Sequence, residues 1–409
     1  MPLVRRAARR SSAAAGAFWL AAVCASSSAY AQARPSSDSA QPDDATTENR
    51  TPAESPAGTD FWSHLKFGAT LEGYYEVDGN RPDDRVLVLR AYDTRSNSFS
   101  LQQAALVVDD APDVEKGQRF GLRVDLQFGQ ATDTVQGSAA NEPRPEVYRN
   151  VWQAYGSYVF PVGRGLQVDF GKFASILGYE TNYAKDDYNF SRAYLFDFLP
   201  FYHDGVRTTL PVSDKLTVMY MLTNGIQQTE DFNNFKSNHL AAIVKPIPAV
   251  TWTTSYYFGQ EQPDHGQPDG PNGWFKVFDT NATVAPTTAL TLAIDVSHTT
   301  NQLRSGDPSL SLDGLGAYLR FQISPPIALA VRYERLDDEG LFGGIAQLLQ
   351  EGTFTAEYKF AEGFLVRGEF RRDWSNASFF PARHGETRDH QNTALVGLVW
   401  WVGNKEGGW

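Results

Sequence analysis

Residues 120–129 read Phe-Gly-Leu-Arg-Val-Asp-Leu-Gln-Phe-Gly, with Phe120, Leu122, Val124, Leu126 and Phe128 on one parity and Arg123, Asp125 and Gln127 on the other. A side-chain period of two belongs to a β-strand, and alternation this clean needs an apolar medium on one face and a wet one on the other. Two folds supply that setting. In a soluble sandwich the apolar face meets a second sheet, whereas in a membrane barrel it meets lipid and the polar face lines the lumen. One strand does not decide between them.

The first residues begin to decide. Arg5, Arg6, Arg9 and Arg10 precede an apolar segment near 13–23, followed by two overlapping Ala-x-Ala sites, Ala29-Tyr30-Ala31 and Ala31-Gln32-Ala33. This pattern predicts a secretory signal peptide over residues 1–31, too short to span a bilayer. The single cysteine, Cys24, falls inside it. The formal charge is −12, and −16 without those four arginines, which argues against a nucleic-acid partner, whose phosphates call for basic patches. Residues 32–59 are rich in Ser, Pro, Asp, Glu and Ala and are expected to form a disordered periplasmic lead-in. The ordered domain is expected over 60–403, with a tail at 404–409.

Alternation and turn residues predict about sixteen strands, near 63–77, 97–109, 118–129, 147–160, 165–174, 203–211, 214–224, 236–245, 249–260, 274–284, 288–300, 312–323, 326–337, 347–360, 363–374 and 391–402. Most exceed the roughly five or six residues of a soluble strand and reach the roughly nine to eleven that a tilted membrane strand needs. Tight turns such as Pro161–Gly165, Pro211–Asp214, Pro246–Pro248, Ser324–Pro326 and Ala361–Gly363 alternate with polar loops of about ten to thirty residues. A Greek-key sandwich has no reason to sort loop lengths by parity, but an up-and-down membrane barrel does. The fold class is therefore all-β: a transmembrane up-and-down antiparallel β-barrel of about 16 strands. An even strand number places both termini in the periplasm.

Between Phe170 and Asn238 a set of motifs stands in order: Phe170-Gly171-Lys172-Phe173 with Gly178-Tyr179-Glu180, then Tyr188-Asn189-Phe190-Ser191-Arg192, then Pro200-Phe201-Tyr202-His203-Asp204-Gly205, Thr223-Asn224-Gly225 and Asp231-Phe232-Asn233-Asn234. The stretch resembles the OmpL-like outer-membrane porins of the β-barrel porin-2 family, and looser similarity extends over most of 60–403. The resemblance implies a channel for small solutes in the outer membrane of a Gram-negative bacterium. It brings no catalytic residues and no established substrate.

The third external loop, 174–202, carries Tyr188, Phe190, Tyr194, Phe196, Phe198, Phe201 and Tyr202 together with Arg192. So aromatic a segment does not belong in water, and the economical solution is to fold inward against the wall. Three roles are open to it: a plug that braces the barrel, a constriction that sets pore size, or an aromatic track for sugar rings. Parity assigns Arg123, Asp125, Arg320, Arg332, Glu334, Glu357, Lys359, Arg367, Glu369 and Arg371 to the lumen. They form either a transverse field that orients polar solutes or a ladder of structural ion pairs.

The seven histidines show no tight metal spacing, and neither a Gly-x-Ser-x-Gly elbow nor a phosphate-cradling glycine loop is present. No catalytic, cofactor or metal residues are therefore expected. The leading function is a passive porin for small hydrophilic solutes, narrowed by loop 174–202. The alternative is a barrel with a closed lumen that serves as a surface structural, adhesion or receptor protein. Expected partners are outer-membrane lipid and lipopolysaccharide and the solutes themselves, with a homotrimer and a monomer both open.

Overall fold

The computed structural model of the chain describes residues 65–136, 142, 144–262 and 270–403. The expected signal peptide, lead-in and C-terminal tail lie outside the described residues.

Sixteen strands follow one another around a closed antiparallel barrel. They are β1 (Lys66–Asp78), β2 (Phe99–Asp110), β3 (Phe120–Phe128), β4 (Val151–Phe160), β5 (Leu166–Ala174), β6 (Tyr202–Ser213), β7 (Leu216–Thr223), β8 (Ser237–Val244), β9 (Val250–Gly259), β10 (Phe275–Val284), β11 (Leu290–Asn301), β12 (Leu310–Ser324), β13 (Ile327–Glu339), β14 (Ala346–Ala361), β15 (Phe364–Ser375) and β18 (His390–Val402). Between the last two, β16 (Phe380–Pro381) and β17 (Thr387–Arg388) make a small ribbon of their own. β1 closes the ring by pairing with β18 from Ala69 opposite Val402 to Asp78 opposite Thr393. Closure leaves no edge, which is what a sheet in hydrocarbon requires, because each unpaired backbone group there costs several kcal/mol.

The alternation of the sequence becomes two faces. On β12, Leu315, Leu319 and Phe321 are exposed while Tyr318 and Arg320 are buried; on β13, Val331 and Tyr333 are exposed while Arg332 and Glu334 are buried. Exposed apolar side chains beside buried charges invert the order of a water-soluble protein and mark the outer face as the one that meets lipid. No helix among the described residues is long and apolar enough to cross a membrane, and the strands form the wall.

Connections sort by rim. One rim carries the short links 161–165, 214–215, 245–249, 285–289, 325–326 and 362–363, while the other carries 79–98, 129–150, 175–201, 224–236, 260–274 and 376–389. Three connections depart from the lengths expected. The link 111–119 is longer than a tight turn and is tied by a bridge between Asp113 and Gln118. Loops 302–309 and 340–345 are shorter than expected. At 340–345 the cause is Asp338, whose carboxylate accepts from the backbone N–H groups of Gly340, Leu341, Phe342 and Gly343 and so folds the loop onto the strand end.

Two motif glycines have a direct steric reason. Gly171 and Gly205 face each other across β5 and β6 at φ +126° and +154°. A Cβ on the first would lie 2.3 Å from the Ala154 carbonyl oxygen, and on the second 2.2 Å from that of Leu222.

Candidate functional site

The segment between β5 and β6 is the candidate site. Tyr188, Phe190, Arg192, Tyr194, Phe196, Phe198, Phe201 and Tyr202 are all buried, none more than 9% exposed. A turn of helix at Tyr194–Phe198 and a 3-10 turn at Ala184–Asp186 supply its local structure. Segments this short cannot satisfy their own backbone, so the free N–H and C=O groups must be answered from elsewhere.

The buried face of the wall answers them. Glu334 on β13 accepts the N–H groups of Tyr194 and Leu195, the latter at 3.0 Å, at the start of the helical turn. Glu369 on β15 takes those of Phe190 and Ser191 at 2.8 and 3.1 Å, and Glu72 on β1 takes that of Ala184 at 2.7 Å. Asp279 on β10 and Asp295 on β11 take Gly178 and Tyr179 at 3.0 and 3.1 Å. Arginines serve the carbonyls. Arg367 donates to the oxygens of Ala184, Asn189 and Asp187, and Arg371 to that of Arg192 at 2.6 Å. Arg332 donates to the Ser191 carbonyl and the Glu180 carboxylate, each at 2.7 Å, and to Glu351 at 2.9 Å. Charge-assisted bonds of this kind are about twice as strong as neutral ones.

The remaining charges pair among themselves. Glu357 holds Arg320 at 3.0 Å and Arg367 at 2.8 Å, linking β12, β14 and β15. Arg123 bonds Asp125 at 2.9 Å, and Asp125 also accepts from the Tyr183 hydroxyl at 3.2 Å. Lys359 stands apart from the others: close to the short-link rim and partly exposed, it pairs with Glu362 at 3.0 Å. Register explains this, since Lys359 lies at the end of the β14–β15 ladder next to the shift that opens the turn.

Aromatic packing completes the seat. Phe201 lies against Tyr92, Trp152 and Phe196, and the Arg371 guanidinium sits 4.8 Å over the Tyr194 ring. Two wall glycines make room: a Cβ on Gly397 would lie 2.3 Å from the Phe190 ring, and one on Gly314 would lie 2.5 Å from Leu195 Cδ2. Asp197, in the helical turn, is pushed up to about 7 by burial and by the negative charge of Asp93, with Arg371 opposing.

Several contributors escaped sequence reasoning. Glu72, Asp279 and Asp295 follow the same parity rule as the residues named, and extending that count to β1, β10 and β11 would have found them. Tyr92 of loop 79–98, whose hydroxyl donates to Asn182 at 2.6 Å, carries no comparable signal. Arg90 of that loop bonds Asp93 at 2.7 Å and Asp373 at 3.1 Å. Among the described residues no group of three or more His, Cys, Asp or Glu is placed to hold a metal ion.

The resemblance motifs and this seat coincide. Asn189 bonds Thr355, Phe190 and Ser191 bond Glu369, and His203 spans Gly225 O and Ser175 Oγ. The family described as "Putative beta-barrel porin-2, OmpL-like" matches residues 64–400. No curated protein matches the chain. Among solved structures, the chain is similar to Salmonella typhi OmpF in complex with daunomycin (TM-score 0.53, 12% identity, 83% of this chain and 97% of that one). It is also similar to an anion-selective porin from Comamonas acidovorans (TM-score 0.53, 9% identity, 83% and 99%) and to the trimer form of OmpT, an outer membrane protein of Vibrio cholerae (TM-score 0.52, 11% identity, 83% and 99%). At such identity these likenesses speak for the fold. The family match over most of the chain carries the assignment: this is an outer-membrane porin that belongs to the β-barrel porin-2 family.

Proposed function

We propose that the barrel passes small hydrophilic solutes by diffusion and that segment 174–202, folded inward, is its constriction. The observation that carries the reading is the reach of the segment's bonds, from Glu72 on β1 through Glu369 and Glu334 to Asp295 and Asp279, an arc of eight of the sixteen strands, with Asp125 on β3 beyond it. A barrel of sixteen strands leaves an aqueous lumen unless something crosses it. The wall charges then do two jobs: they hold the segment in place, and those nearer its free margins give a mixed-sign lining without bias toward phosphate. In this reading the longer loops face outside, both termini are periplasmic, and transport needs no catalytic group. The trimer form of the Vibrio cholerae protein supports assembly into a homotrimer.

A second reading has an observation of its own. Arg332, Glu334, Glu351, Arg367 and Asp279 are essentially without solvent contact, which favours a lumen closed at that level and a surface role. Single-channel recording in a planar bilayer separates the two. Discrete steps in the intact protein support the porin with a constriction; silence in the intact protein, together with silence after deletion of residues 188–199, supports the closed barrel.

A further inference from the structure

Of the three methionines in the chain, Met219 and Met221 stand two residues apart on β7 and share its buried inward face, while Tyr220 and Leu222 are exposed on the other. Directly opposite Met221 in the ladder is His239 of β8, and Met219 pairs with the next inward residue, Ala241. Opposed side chains on one face of a ladder have Cβ atoms about 4.5–5.5 Å apart, and diagonal ones stay within reach of a long side chain. One imidazole and two thioethers therefore share one spot on the inner wall. The spacing of histidines does not reveal this set, because two of its members are methionines.

His239 is fully buried, and neither of its ring nitrogens has a hydrogen-bond partner among the described residues. The polar rings beside it are committed elsewhere. Tyr257, opposite on β9 with ring centroids 5.9 Å apart, donates its hydroxyl to Glu261 at 2.6 Å. His203, 5.8 Å away, sets Nδ1 at 3.1 Å from the Gly225 carbonyl oxygen and Nε2 at 3.2 Å from Ser175 Oγ. A carbonyl only accepts, so Nδ1 of His203 carries the proton and Nε2 receives that of the hydroxyl. The Ser255 hydroxyl, diagonal to His239 on β9, is itself without a partner. Around the methionines the packing is apolar, from Phe173, Ile176, Ala241 and Ile243. Arg207, in register with Met221 on β6, is neutralised by Asp169 at 2.7 Å.

Buried imidazole nitrogens are normally answered, and here the groups at hand to answer them are thioethers in a pocket without net charge. Zn(II) or Ca(II) would bring two positive charges to a site with no anionic ligand, a cost that neutral donors do not offset. Thioether sulfur selects Cu(I), which carries one charge and needs no carboxylate. We infer that His239, Met219 and Met221 form a binding site for a soft monovalent cation, Cu(I) or its analogue Ag(I). The assignment does not depend on whether the lumen conducts.

The test is native mass spectrometry of the intact barrel in detergent, in a Cys24→Ser background so that methionine supplies the sulfur. The protein is titrated with Ag(I), with Cu(I) under anaerobic ascorbate and with Zn(II), each against a competing chelator. The parent should retain one Ag(I) or Cu(I), with sulfur and nitrogen neighbours in its X-ray absorption spectrum, and should release Zn(II). His239→Phe, which keeps a ring between Tyr257 and His203, and Met219→Leu/Met221→Leu should each bind on the order of a hundredfold more weakly, since even the supporting partners of metal ligands are worth about 10–100-fold. His298→Phe, at an exposed histidine, should bind as the parent does. Failure of the parent to retain Ag(I) or Cu(I) against the chelator would overturn the inference even if the variants failed to fold. So would a spectrum without sulfur neighbours, equal retention of Zn(II), or undiminished binding by a folded His239→Phe.

Discussion

Replacing Arg332 with methionine removes the most connected latch between wall and segment while keeping a side chain of similar length. The guanidinium is fully buried and bonds Glu351, Glu180 and the Ser191 carbonyl at 2.9, 2.7 and 2.7 Å. After the change Glu351 still has Arg371 at 3.5 Å, whereas Glu180 loses its one ion pair among the described residues and keeps the Ala193 N–H at 2.7 Å and the field of nearby Arg192. Removing one partner of a buried pair costs about 3–5 kcal/mol. The strand ladder is untouched, so the cost falls on the seated state of the segment. That corresponds to an opening equilibrium raised by roughly two to three and a half orders of magnitude. Limited proteolysis within 178–199 should accelerate accordingly, and single-channel conductance should rise or become noisy. Glu180→Gln in the Arg332→Met background should recover part of the loss, because the stranded charge is gone. The exposed Arg164→Met, at the Asp214 pair on the short-link rim, should stay within about 1 kcal/mol of wild type. Wild-type proteolysis and conductance in Arg332→Met would refute the claim that these bonds hold the segment.

Deleting residues 188–199 should leave an inserted barrel whose conductance and permeability to larger sugars both rise; a fall in thermal stability with no gain in flux would assign the segment to bracing instead. Val124→Arg, on the outer face of β3, should hinder folding by about 2–4 kcal/mol in a refolding assay if it lies near the midplane, and unchanged refolding would reverse the parity of that strand. Acid should tighten the segment. Asp197 rests near 7 when buried against an ordinary value of 3.8, so the seated state holds the proton that the free state releases. Its stability is full below about pH 4 and declines as pH rises toward about 7. Proteolysis of the segment should therefore be faster at pH 8 than at pH 5, and Asp197→Asn should flatten the difference.

Strand positions were legible because the medium enforces them. A one-residue slip exchanges lipid and interior faces along a whole strand, so the alternation at 326–337 leads directly to Ile327–Glu339. The aromatic content of 174–202 likewise signals burial before any contact is known. The identity of each partner was not legible. Opposite signs on neighbouring strands suggested lateral pairing, which Arg320, Glu357 and Arg367 do form, but Arg367 also donates to three loop carbonyls, and Arg332 and Arg371 each reach the loop backbone as well. Glu369 and Glu334 receive backbone N–H groups, an outcome that depends on how the ring closes. Nothing local to Tyr92 or Arg90 announces that the first long loop joins the same cluster.

The recess at Gly397 that accepts Phe190 belongs to β18, the last strand of the ring, whereas Phe190 lies in the first half of the chain. Arg367, which holds three carbonyls of the segment, is 183 positions from Ala184. The receptacle for the segment is therefore incomplete until the final strand has joined the ring. Assembly has a built-in order, in which an emerging chain carries its aromatic segment unhoused until closure, and docking of that segment reports that the ring is complete.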